Sequence, residues 1–231
     1  MAIGVRPTHR RISIWLKILY TLFVCLLVPK YWGLYGPANF LWFCDMGLLV
    51  SAIALWMESP LLISMEAIAL TMPQILWTLD FLSGGHIVGI SRYMFKPELP
   101  ITTRALSTFH LWLPWILVWL VWRLGYDRRA AWLQTFFSTT LLLASYLLTD
   151  PRHPPAGFPA AAVNVNRVFG LDEVRVQTAM PQLLFLTITI LFYPLCIYLP
   201  SHLLFKRFFP APTRKAKTES SIPAKEILQG R

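Results

Sequence analysis

Six stretches of this chain, at residues 12–28, 40–56, 61–82, 106–122, 131–148 and 180–204, are mostly apolar and nearly free of charge. A bilayer is crossed by about 20 such residues, with a tolerance of roughly 17 to 25. Inside hydrocarbon the backbone must satisfy its own hydrogen bonds, and a helix does so within one segment. The expected fold is therefore all-α, a polytopic membrane bundle of six transmembrane helices. Composition agrees, at 56% hydrophobic and 14% charged residues with a mean hydropathy of +0.54. A soluble surface uses about a quarter charged residues. One transmembrane domain is expected over 1–205, and the polar, Lys- and Pro-containing stretch 206–231 reads as a basic, disordered cytoplasmic tail.

The formal charge of +10 would point to nucleic acid in a soluble protein. Here Lys and Arg flank apolar segments and do not interleave with aromatics. They report topology and contact with membrane lipids, and a nucleic-acid role is excluded. With the N-terminus inside, 14 of the 21 basic residues fall on the cytoplasmic side, so both termini are expected there. The long loops 86–104 and 150–179 are then outside. Arg6, Arg10 and Arg11 before an apolar run resemble a signal sequence, but no small-x-small site follows, so the first helix is read as retained. Cys25, Cys44 and Cys196 lie in apolar segments without CxxC spacing, which argues against a disulfide framework.

Polar residues from different spans converge on one level. At a rise of about 1.5 Å per residue, Asp45 lies roughly 8 Å below the outer end of its span, Asp80 roughly 3 Å and His110 roughly 6 Å. Gln182, Ser145 and Thr149 belong to the same outer third. An ionisable group at this depth is a functional-site candidate by default. Trp112, Trp115, Trp119 and Trp122 form one stripe within about 80° of arc, and His110 points about 160° from Trp112, toward the interior. Gln134, Ser138, Ser145 and Thr149 share one face, read as glue between helices. Deeper in, Lys17 and Glu66 are each about a turn and a half from the cytoplasmic ends of their spans, and a neutralising Lys17–Glu66 pair is expected.

Three short motifs occur in order: Leu41-Trp42-Phe43-Cys44-Asp45, then Phe109-His110 with Pro114 opening span four, then Asn164-Val165-Asn166-Arg167-Val168-Phe169-Gly170. This order resembles the uncharacterised bacterial YwaF-like six-helix membrane family, distantly similar to androgen-induced-protein-type membrane hydrolases and a related lipid acyltransferase. The resemblance covers roughly residues 37–170. It implies a helix bundle in the bacterial cytoplasmic membrane and a His-assisted Thr or Cys nucleophile, with His110 the residue carried over first and Cys44 second.

Three functional classes follow. In the first, an enzyme acts on lipid acyl esters: Cys44 attacks, His110 is the base, Asp45 or Asp80 orients the imidazole, and Asn164, Asn166 or Arg167 contacts a headgroup or oxyanion. Adjacent Cys44 and Asp45 diverge by about 100° on a helix, so both cannot face one centre squarely. In the second, Asp45, Asp80 and His110 bind a divalent metal, although no local spacing motif supports this and neither metal nor cofactor is expected. In the third, the chain is a non-enzymatic carrier or scaffold with a structural polar network.

Overall fold

The computed structural model describes residues 12–172 and 175–212. Its helices are α1 (Ile14–Tyr35), α2 (Phe43–Met57), α3 (Pro60–Leu82), α4 (Ile101–Ser107), α5 (Phe109–Leu124), α6 (Ala130–Leu148), α7 (Gln182–Phe192) and α8 (Leu199–Phe208). Short 3-10 turns cover Pro37–Leu41, Arg92–Phe95 and Val165–Arg167, and a π-helical turn, Tyr193–Tyr198, joins α7 to α8. The fold is an all-α bundle compatible with a polytopic membrane protein. Five apolar stretches are long enough to span: Ile14–Tyr35, Pro60–Leu82, Ile101–Leu124, Ala130–Leu148 and Gln182–Phe208.

The sixth helix, α2, has 15 residues, which is about 22 Å of helix against a hydrocarbon core of about 30 Å. The expected start at residue 40 fails because Gly36 (φ 81°) and Pro37 open a 3-10 turn, and Trp42 is extended before α2 begins. Asp45 therefore sits in the first turn of α2, not about a turn and a half down. The first span runs on past Val28, through Pro29 to Tyr35, and Tyr31 is anchored by a 2.6 Å bond to Ser107. The last helix continues to Phe208, carrying Lys206 and Arg207, so the first residues of the expected tail are helical. Residues 213–231 of that tail lie outside the described residues.

The bundle has an apolar core interspersed with buried polar side chains, and its outside is apolar. α3 is buried on all sides from Ile63 to Thr71 and packs against α2, α5, α6 and α8. Trp15, Leu82, Phe136 and Leu147 are each more than two-thirds exposed. Such a continuous apolar exterior suits lipid, not water. The tryptophan stripe follows its expected direction: Trp115, Trp119 and Trp122 are exposed, while Trp112 packs edge-on against Tyr20 and Phe23 of α1. Gln134, Ser138, Ser145 and Thr149 are all buried, and Ser145 and Thr149 bond back to carbonyls one turn earlier, as structural hydroxyls in membrane helices do.

The expected Lys17–Glu66 pair is not the one formed. Lys17 Nζ donates to Glu58 Oε1 at 2.7 Å. Glu58 is the left-handed cap (φ 48°) between α2 and α3, level with the start of α1. A long lysine reaches toward the interface, where a half-exposed carboxylate is the cheaper partner than one in the bundle centre.

Candidate functional site

Helix breaks create the site. α4 and α5 are interrupted at Thr108, and the Leu111 amide bonds to the Thr108 carbonyl at 2.9 Å, not to that of Ser107. The Ser107 carbonyl is thereby free of the helical ladder and accepts from His110 Nδ1 at 2.8 Å. A carbonyl can only accept, so Nδ1 carries the proton and Nε2 presents a lone pair. Pro114 has no amide hydrogen, which leaves the His110 carbonyl unpaired one turn earlier, and Thr78 Oγ1 of α3 approaches it at 3.4 Å. The imidazole lies between Trp77 and Phe109, with ring centroids 4.6 and 4.0 Å away. It is buried, facing the interior opposite its tryptophan stripe.

Around it stand groups from the neighbouring elements. Tyr31 of α1 and Ser107 share a hydrogen bond, and Tyr93, from the loop turn after α3, reaches the same Ser107 hydroxyl. Tyr93 also lies near Cys44 and Asp45, and its ring is 6.4 Å from Trp77. Burial pushes the Tyr93 phenol up, so it stays a neutral donor. Asp45 Oδ2 accepts from Asn39 Nδ2 at 2.8 Å, while Asp45 Oδ1 and Trp77 Nε1 are buried without partners among the described residues. One acceptor and one donor thus remain unfilled near His110 and Cys44. Cys44 is a half-buried free thiol in the first turn of α2.

Asp80 is differently employed. Its Oδ1 accepts the amides of Ile87, Val88 and Gly89, and its Oδ2 accepts the amide and hydroxyl of Ser91, all between 2.6 and 3.0 Å. Five donors fill both oxygens and fold the loop back over the end of α3. No lone pair is left to orient an imidazole or bind a metal.

The asparagines are likewise bound inward. Asn164 accepts from the Phe169 amide and donates to the carbonyls of Gly170 and Asp172, closing its own loop. Asn166, in the left-handed region at φ 52°, accepts the Phe43 amide and donates to the Leu41 carbonyl and to Ser145 Oγ. It is a cap for α2 supplied from a distant loop. Arg167 donates to the Leu171 carbonyl and lies near Tyr193. Gln182 donates to the Val168 carbonyl at 2.8 Å, tying the same loop to α7.

The structure thus gathers Cys44, Asp45 and His110 at one end of the bundle with Tyr31, Tyr93, Ser107, Asn39 and Trp77, and assigns Asp80, Asn164 and Asn166 to loop closure. Tyr31, Tyr93, Ser107 and Trp77 were not singled out from the sequence. Ser107 at i−3 from His110 was the available signal, because only a helix break lets that carbonyl turn to the ring. Among the described residues no cluster of three His, Cys, Asp or Glu side chains is placed to hold a metal. Comparison with known protein families, with curated proteins and with solved structures finds no match.

Proposed function

We propose that this integral membrane protein acts on lipid acyl esters at the bundle end that carries the long loops, with His110 as general base and Cys44 as nucleophile. The observation that carries the reading is the Ser107 carbonyl on His110 Nδ1, which fixes the tautomer in which Nε2 can take a proton. The orienting group is a backbone carbonyl, in the place where Asp45 or Asp80 was expected. Nε2 removes the thiol proton as sulfur attacks the ester carbonyl, and that proton passes to the departing alcohol oxygen. The resulting thioester is resolved by water, or by a second alcohol in acyl transfer, through the same imidazole. The unpaired Trp77 Nε1–H is a donor for the developing oxyanion. Asp45, held by Asn39, keeps an acceptor for a polar headgroup group. We assign this end to the outer side and both termini to the cytoplasm on the basic bias, and the chain to the bacterial inner membrane on the YwaF-like resemblance.

The test uses protein reconstituted with phospholipid carrying a fluorescent acyl chain. Release of that chain should stop in His110→Ala while the melting temperature stays within a few degrees of wild type. A second reading, a purely structural polar network, is favoured by the loop roles of Asp80, Asn164 and Asn166. It predicts no release by wild type and a lowered melting temperature in His110→Ala.

A further inference from the structure

The middle of the bundle holds a second ionisable group, which the ester chemistry does not use. Glu66 of α3 is 1% exposed, and its Oε1 accepts no hydrogen bond among the described residues. α2 approaches it through Gly47, where a Cβ would come within 2.6 Å of Glu66 Oε2. The absence of a side chain there lets the carboxylate lie against α2. Tyr20 of α1 and Tyr198 of the π-helical turn are close enough to feel its charge. Tyr20 donates its proton elsewhere, to the Leu48 carbonyl at 3.1 Å. Ser51 lies within reach of the Tyr20 phenol and Gln134 within reach of the Tyr198 phenol, and neither Ser51 Oγ nor Gln134 Oε1 makes a hydrogen bond of full geometry among the described residues.

Three cationic or titratable side chains on the packed elements make their contacts elsewhere, Arg123 with its Nε unpartnered among the described residues. Lys17 is on Glu58, Arg123 lies over the Trp119 ring at 5.3 Å, and His202 bonds the Tyr126 hydroxyl at 2.8 Å. The remaining titratable neighbours are the two tyrosines. What is left is one buried carboxylate beside buried neutral side-chain oxygens, with no ion-pair partner for Glu66 among the described residues. An ionised carboxylate without compensation is strongly disfavoured in such a place.

We infer that Glu66, Ser51 and Gln134 form an intramembrane site for a monovalent cation, a proton or Na⁺, bound by oxygen alone. Hard cations take oxygen ligands, and a single carboxylate among neutral oxygens matches one positive charge, not two. Proton and Na⁺ compete for the same carboxylate oxygens. The site stands on residues separate from Cys44 and His110 and does not depend on the lipid-ester reading.

The experiment is thermal unfolding of the intact purified protein in detergent, with NaCl replacing choline chloride at constant ionic strength, at acidic and at alkaline pH. A ligand that binds only the folded state raises the melting temperature with its concentration. At alkaline pH, Na⁺ should raise it saturably, and at acidic pH the effect should shrink as protons occupy the site. Glu66→Gln should abolish both dependences, and Ser51→Ala should raise the half-saturating Na⁺ several-fold. A pH dependence that vanishes in Glu66→Gln, without any Na⁺ effect, identifies the proton as the ligand. A wild-type protein indifferent to Na⁺ at both pH values, with a pH profile that Glu66→Gln or Ser51→Ala leaves unchanged, overturns the inference.

Discussion

Asn166 and Phe43 are separated by 123 positions, yet the side-chain oxygen of the first accepts the amide of the second at 3.0 Å and so caps α2 from a distant loop. The same side chain holds the Leu41 carbonyl and Ser145, so one residue sets where α2 starts and thus where Cys44 and Asp45 sit.

Asn166→Ala should therefore destabilise by about 2–4 kcal/mol, combining a lost cap, orphaned buried groups and a left-handed backbone that Ala resists. Asn166→Gly relieves only the backbone part and should recover a fraction of the loss. Denaturant or detergent titration of the three proteins reads the difference, and an Ala variant as stable as wild type would contradict the cap.

Asp80→Asn should cost about 2–4 kcal/mol, because an amide replaces one acceptor oxygen with a donor facing amide hydrogens. The loop at residues 86–91 should become protease-sensitive before the bundle melts. Equal protease resistance in the two proteins would count against Asp80 as the loop's organiser.

A double-mutant cycle separates the two carboxylates near α1. Lys17→Met with Glu58→Gln should show a coupling of about 1 kcal/mol, modest because Glu58 is partly exposed. Lys17→Met with Glu66→Gln should be additive within about 0.5 kcal/mol. The reverse pattern would restore the pairing first expected from sequence.

Acid stability has an identifiable contributor outside the spans. Hydrogen bonds from the Arg129 side chain and amide hold Asp127 below its ordinary value of 3.8. A carboxyl lowered on folding stabilises above its unfolded value, and that contribution disappears as pH falls below about 4. Melting temperature against pH should therefore drop less steeply on the acid limb for Asp127→Asn than for wild type. Superimposable limbs would show that the Arg129 contacts carry no linkage.

Helix type and five of the six expected spans were legible because hydrocarbon imposes length and composition, and the inward phase of His110 followed from the tryptophans at helical spacing. Breaks were harder to read. Pro29 looked like a terminus yet is carried inside α1, since the tertiary anchor at Tyr31 outweighs one missing backbone bond. The residues around Asp45 announced themselves only by polarity, so depth could gather Asp45, Asp80 and His110 but could not distinguish a carboxylate with a free oxygen from one saturated by loop amides. That distinction depends on where residues 86–91 return in space. Lys17 was misassigned for a similar reason: Glu58 stood outside the expected spans, and only the cap between α2 and α3 brings it to the lysine.

The central claim, that His110 activates Cys44 toward a lipid ester, is tested most directly by intact-mass spectrometry of protein reconstituted in phospholipid vesicles. Wild type should gain the mass of one acyl chain on Cys44, removable by hydroxylamine as a thioester is. Cys44→Ala should gain none, and His110→Ala should acylate at least about a hundredfold more slowly, the usual contribution of a general base. Acylation of His110→Ala at the wild-type rate, or a wild-type protein that neither acquires an acyl chain nor releases fatty acid, would contradict the account.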